Sequence, residues 1–282
     1  AEKAITLIKN DGVLPLKREE TKKLALIGKL ANTAIIGDHG SSWVRPLYVV
    51  TPEDGLKKAN ADCEVIFDDG SDLERAKKLA AESDAVVFVV GYNYDDEGEF
   101  VSGDQASNYT GAMGGDRKVS LGLHEDEIKL LQEVGPVNAK SAAVLVGGNM
   151  IMMTQWYDCI NSVLMAYYPG MEGGTALAEI LYGDVNPSGK LPYVVPYSED
   201  DLPHVDWEAT DQYYEYYHGY TRLEKNGVKP LVPYGFGLSY TTFDITDPTA
   251  VVDGDQLKVT AKVKNTGTTD GEEVVQVYLK DL

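Results

Sequence analysis

Residues 86–123, VVFVVGYNYDDEGEFVSGDQASNYTGAMGGDRKVSLGL, decide how the chain is read. Val86, Phe88, Val89 and Val90 form a near-continuous apolar run, the pattern of a parallel strand covered on both faces. The run stops at Gly91 and delivers Asp95-Asp96-Glu97-Gly98-Glu99 to the carboxyl end of that strand, where ligands sit in open α/β sheets. Crowding four acids into five positions is expected to raise at least one carboxyl pKa, as a general acid near neutrality requires. A solvated acidic loop is the plain alternative. The alternating Asp-x-Asp-x-Asp-Gly spacing of a calcium loop is absent, so no metal is assigned here.

Outward from this stretch the pattern alternates. Leu24–Ile27, Glu64–Phe67, Ala142–Val146 and Val163–Tyr168 read as further strands, several ending in glycine. Ser71–Ser83, a segment beginning near His124-Glu125, and Thr175–Tyr182 read as helices between them. Thr51-Pro52-Glu53 has the form of a helix start, and Ala1–Lys9 carries apolar residues at roughly helical spacing. The alternation predicts an α/β fold with a mainly parallel sheet between helical layers. From Pro187 the texture changes to prolines and a tyrosine cluster, Tyr213, Tyr214, Tyr216, Tyr217 and Tyr220, suited to a carbohydrate site or a domain interface. Past Asp255, alternating Leu257, Val259, Ala261 and Val263 followed by Asn265-Thr266-Gly267 predict a hairpin turning there.

Composition narrows the function classes. With 45 acidic against 25 basic residues and a net charge of −20, nucleic acid and anionic membrane surfaces are excluded as partners. Cys63 and Cys159 match no metal-ligand spacing and read as free buried thiols. No Gly-x-Gly-x-x-Gly follows the first strand, no Walker lysine motif is present, and Gly-x-Ser-x-Gly is missing, so no cofactor is expected. The chain reads as a fragment, soluble and cytoplasmic, with secretion as the alternative; a homo-oligomer is left open.

Several motifs recur in one order: Leu7 to Leu16 (LIKNDGVLPL), Gly40-Ser41-Ser42, Gly115-Asp116-Arg117 with Leu121-Gly122-Leu123, and Pro169-Gly170-Met171-Glu172-Gly173-Gly174. Gly183 to Pro192 (GDVNPSGKLP) and Tyr234 to Thr241 (YGFGLSYT) complete them. In order and spacing the set resembles the carboxyl-terminal half of glycoside hydrolase family 3. That resemblance implies an α/β sandwich over residues 1–240, then the first strands of a fibronectin type III-like β-sandwich over 241–282. It implies a retaining β-glucosidase or β-xylosidase acting on a β-linked oligosaccharide or glycoside, with the nucleophilic aspartate on a TIM-like barrel outside this chain. The family's acid/base glutamate stands in a Glu-Gly-x-Asp-Arg motif; here Asp116-Arg117 is intact, but Met113 takes the glutamate's place and Glu97-Gly98 lies earlier. Glu97 is therefore the expected acid/base and Glu99 its alternative. Trp43, His39 and Tyr94 are expected to contact substrate, and Asp116 and Arg117 to structure the loop as a local ion pair. A non-catalytic carbohydrate-binding or structural module is the rival reading.

Overall fold

The computed structural model describes residues 1–37, 41, 44–98, 117, 120–206 and 209–280. Its main sheet has six strands: β1 (Thr6–Asn10), β2 (Lys23–Ile27), β3 (Glu64–Asp68), β4 (Ala85–Gly91), β5 (Ser141–Val146) and β6 (Ser162–Tyr167). They lie in the order β1-β6-β5-β4-β2-β3, with β2 to β6 parallel and only β1 antiparallel at one edge. The chain runs from β2 outward to β3, then returns across β2 to place β4 on its other side.

Side-chain alternation splits the core into two layers. Leu24, Leu26, Val87, Val89, Val144 and Leu164 join one layer with α1 (Pro52–Ala59) and α5 (Gly173–Leu181). Ala25, Ile27, Phe88, Val90, Leu145 and Met165 join the other, with α2 (Leu73–Ala81) and α4 (Glu125–Val134). All seven residues of β4 are buried, because both of its faces are covered and both of its edges are paired.

Two sequence expectations are corrected. The helix expected over Ala1–Lys9 is strand β1, with Thr6 opposite Met165 and Leu7 opposite Leu164. Ile5 and Leu7 pack in one layer and Ile8 in the other, a two-residue period that so short an apolar run does not display unambiguously. The hairpin turn expected at Asn265-Thr266-Gly267 lies instead at Gly254, between β7 (Phe243–Asp253) and β8 (Gln256–Asn265). Pro248 and the acids of β7 disguise it as a strand, whereas Gly267 donates to the Asn265 side chain and simply closes β8. Cys63 is buried and Cys159 half-buried, both free thiols.

The cap read at Thr51 is a full capping box: Thr51 Oγ1 accepts from Asp54 N at 3.2 Å, and Asp54 Oδ2 accepts from Thr51 N at 3.3 Å. Helices α1 and α5 then meet backbone to backbone. A Cβ on Gly55 would lie 2.0 Å from the Gly174 carbonyl oxygen, and one on Gly174 would lie 1.9 Å from that of Thr51. Alanine ordinarily stabilises a helix interior relative to glycine. Here Gly55→Ala is expected to destabilise by roughly 1–3 kcal/mol through forced separation of the two helices, measured by urea unfolding; a stabilised variant would show the contact to be loose.

Candidate active site

The carboxyl ends of the neighbouring strands β4, β5 and β6 open into one cleft. Gly91 ends β4 in the left-handed region at φ 129°, and a Cβ there would lie 2.0 Å from the Val146 carbonyl oxygen of β5. Glycine therefore lets the chain leave the sheet without losing its neighbour. Asn93 caps the short helix α3 (Tyr94–Glu97) by accepting from Asp95 N at 2.8 Å, and Asp96 returns the favour by accepting from Asn93 N at 3.1 Å. The other Asp96 oxygen meets His124 Nε2 at 3.0 Å.

Glu97 then points inward, its side chain 13% exposed. Arg117 Nε pairs with Oε1 at 2.8 Å, while Gly148 N donates to Oε2 at 2.8 Å and the Tyr168 hydroxyl donates to the same oxygen. Arg117 is itself 9% exposed and donates to the Leu121 and Met150 carbonyls at 3.3 and 2.8 Å. Its guanidinium sits 4.5 Å from the Tyr92 ring centroid. A single ion pair thus ties the loop after β4 to the chain leading into α4 and to the turn after β5. Tyr168 follows Tyr167, whose φ of 56° is strained for a non-glycine residue and accompanies a register shift between β5 and β6. Burial, then the neighbouring Glu97 carboxylate, raises the Tyr168 hydroxyl well above the usual phenol range, so it stays a donor.

The cleft holds about 800 Å³. Glu97, Arg117, Gly148, Asn149 and Tyr168 line it, together with Glu199, His204 and Tyr214. Glu199 is committed to structure, accepting from Ser120 Oγ at 2.9 Å and from Leu121 N at 2.8 Å. Among the described residues no group of three or more His, Cys, Asp or Glu is arranged to hold a metal ion.

The sequence-predicted residues divide three ways. Glu97 lies in the cleft, and Arg117 is beside it, pairing with Glu97 rather than only structuring its own loop. Tyr94 opens α3 half-buried and is not part of the cleft wall. Glu99, Asp116, His39 and Trp43 lie outside the described residues. Asp96 and Glu97 face different partners, His124 and Arg117. One carboxyl whose pKa is driven up was missed in the sequence reading: burial pushes Glu127, 8% exposed, up to about 7. Its Oε1 accepts from Gly91 N at 3.0 Å, and its Oε2 is buried without a partner. A signal was available: Glu127, Leu130, Leu131 and Val134 share one helical stripe, with the acid in the first apolar position.

The family profile described as "Glycosyl hydrolase family 3 C-terminal domain" matches residues 5–240. The chain belongs to glycoside hydrolase family 3. It is 34% identical to thermostable beta-glucosidase B of Acetivibrio thermocellus, with 100% of this chain and 38% of that protein covered. To a beta-xylosidase of Formosa agariphila it is 32% identical, with 100% and 39% covered. Among solved family 3 structures, the beta-glucosidase of Bifidobacterium adolescentis superposes with a TM-score of 0.78 at 27% identity, covering 94% of this chain and 39% of that one. The chain therefore spans about two fifths of the length of these family 3 relatives.

Proposed function

We propose that this chain is the acid/base half of a retaining β-glycosidase that removes terminal β-linked glucose or xylose. The observation that carries the reading is a half-buried glutamate, Glu97, held on the wall of a cleft at the carboxyl ends of β4 to β6 in a family 3 chain. Retaining hydrolysis needs two carboxyl groups roughly 5–5.5 Å apart across the glycosidic bond. Glu199 also borders the cleft, but it is occupied with Ser120 and Leu121. The nucleophile is therefore assigned to a TIM-like barrel in the rest of the intact protein, as the relatives' greater length supports.

In this scheme the barrel carboxylate attacks the anomeric carbon while Glu97 protonates the departing oxygen. Glu97, now ionised, next takes a proton from water, which displaces the carboxylate and releases the sugar with its configuration retained. Arg117, Gly148 N–H and Tyr168 set the orientation of Glu97 through both steps. One observation favours a second assignment: all three partners of Glu97 are donors, so delivering a proton from it requires one contact to open. In that assignment Glu97 anchors the loop and Glu99, two residues on, is the proton donor.

The test follows an aryl β-glucoside by NMR. The intact protein is expected to release the β-anomer first, and this chain alone to give no turnover above background. Inverted product, or appreciable turnover by the isolated chain, would overturn the reading.

A further inference from the structure

The strand that leads into the Glu97 loop is held at its end by a side chain that the hydrolysis itself does not use. β2 pairs with β4 only as far as Ile27 opposite Phe88. Three residues further on, the Gly91 N–H finds its acceptor on helix α4, Glu127 Oε1 at 3.0 Å. From Gly91 the chain passes through Tyr92 and Asn93 into α3 and so to Glu97. The start of α4 reaches this loop twice more, through His124 Nε2 at 3.0 Å from Asp96 and through the His124 ring, 4.9 Å from that of Tyr92. Tyr92 in turn donates to the Gly122 carbonyl and lies against the Arg117 guanidinium that pairs with Glu97. The start of α4 therefore fixes where the Glu97 loop leaves the sheet.

Glu127 suits this position in one protonation state. Its Oε2 is buried without a partner, which a neutral carboxyl tolerates at modest cost and a carboxylate does not. The charges packed around it offer little relief. Asp126 on its own helix and Asp96 on the loop oppose ionisation. Lys29, after β2, favours it but is paired with Asp126 at 2.9 Å. On α2, Arg75 is taken by Asp68 and Asp69, and Lys77 by Glu74 and Glu133. An exit lies alongside: Glu127 borders a pocket of about 320 Å³ that Lys29, Asp69, Gly70, Ser71 and Lys129 also line. Lys129 is held there only by a 3.8 Å contact to Glu133. We propose that Glu127 is a proton-controlled positioning residue for Glu97: protonated, it holds the Gly91 N–H; ionised, it turns into the pocket toward Lys29 and Lys129 and releases the start of the loop. This rests on the glycosidase reading above for the role of Glu97, while the movement itself does not.

The test is the pH profile of kcat for the intact enzyme on 2,4-dinitrophenyl β-glucoside. Departure of dinitrophenolate needs no acid, and hydrolysis of the glycosyl-enzyme needs Glu97 ionised, so the titration of Glu97 itself removes no rate at high pH. Wild-type kcat is expected to fall about tenfold between pH 6 and pH 8, as a group titrating near 7 dictates. Glu127→Gln keeps an acceptor for Gly91 N–H and cannot ionise, so it is expected to hold its pH 6 rate through pH 8. A flat wild-type profile overturns the proposal, as does a fall that the variant shares, a variant rate low at every pH, or a fall that tracks unfolding by circular dichroism. Hydrogen exchange reads the contact without substrate. Protection of the Gly91 amide, corrected for the intrinsic effect of pH, is expected to drop about tenfold over the same range in wild type and to stay constant in Glu127→Gln; equal protection overturns the movement. If the intact protein cleaves no β-glycoside, the glycosidase reading fails by itself, and exchange alone decides whether Glu127 lets go of Gly91.

Discussion

Glu97→Gln in the intact enzyme is expected to lower kcat/KM on an unactivated β-disaccharide by about 10²–10⁴-fold, the usual contribution of a positioned acid/base. The loss comes from two places. Glutamine keeps acceptor contacts to Gly148 N–H and Tyr168 but carries no transferable proton, and it breaks the 2.8 Å ion pair with Arg117. A nitrophenyl leaving group needs little acid help, so the glycosyl-enzyme still forms and its hydrolysis becomes slow. Azide needs no base, and in Glu97→Ala the shortened side chain leaves it room, so it is expected to restore turnover and to yield the β-glycosyl azide. If azide instead rescues Glu99→Ala, and Glu97→Gln lowers rates on all leaving groups alike, Glu97 is the anchor of the loop and Glu99 the proton donor.

The second large effect is on stability and is set by pH. Glu127 ionises near 4.5 when exposed, and burial pushes it up to about 7 in the fold, with Asp126 and Asp96 adding to the shift. Between these values the native state holds a proton that the unfolded chain has released. Stability from this group is therefore lost as pH rises from about 4.5 through 7, reaching about 3 kcal/mol above neutrality. Glu127→Gln preserves an acceptor for Gly91 N–H, which lies 3.0 Å from Oε1, and removes the charge. Urea unfolding at pH 8 is expected to show the variant more stable than wild type by about that amount, and at pH 4.5 the two should coincide. Equal stabilities at both pH values would mean that Glu127 is solvated rather than buried.

The two glutamates show how much could be read in advance. Glu97 was legible as a residue at the carboxyl end of β4 because it follows an uninterrupted strand, Val86 to Val90. Arg117 was legible as a loop residue but not as the partner of Glu97, since nothing local joins positions twenty residues apart. Tyr168 and Gly148 were invisible as site residues. They reach Glu97 only because β5 and β6 lie beside β4 in that order, with a register shift at Tyr167. Glu127 was written plainly in the apolar stripe of α4 and was overlooked because its neighbours, His124 to Asp126, look like an ordinary acidic helix start.

Fold class, the strands β2 to β6, the helix between β2 and β3 and the family were determined by the sequence itself, because hydrophobic period, caps and glycine positions are local properties that each segment carries with it. The formation of an edge strand at Thr6–Asn10 instead of a helix, the hairpin at Gly254 and the pairing of Glu97 with Arg117 were decided by tertiary structure. Each of these depends on which distant segment supplies the partner. A short apolar run satisfies its backbone in whatever sheet offers an edge, and a buried carboxylate is held by whatever cation the topology brings within reach.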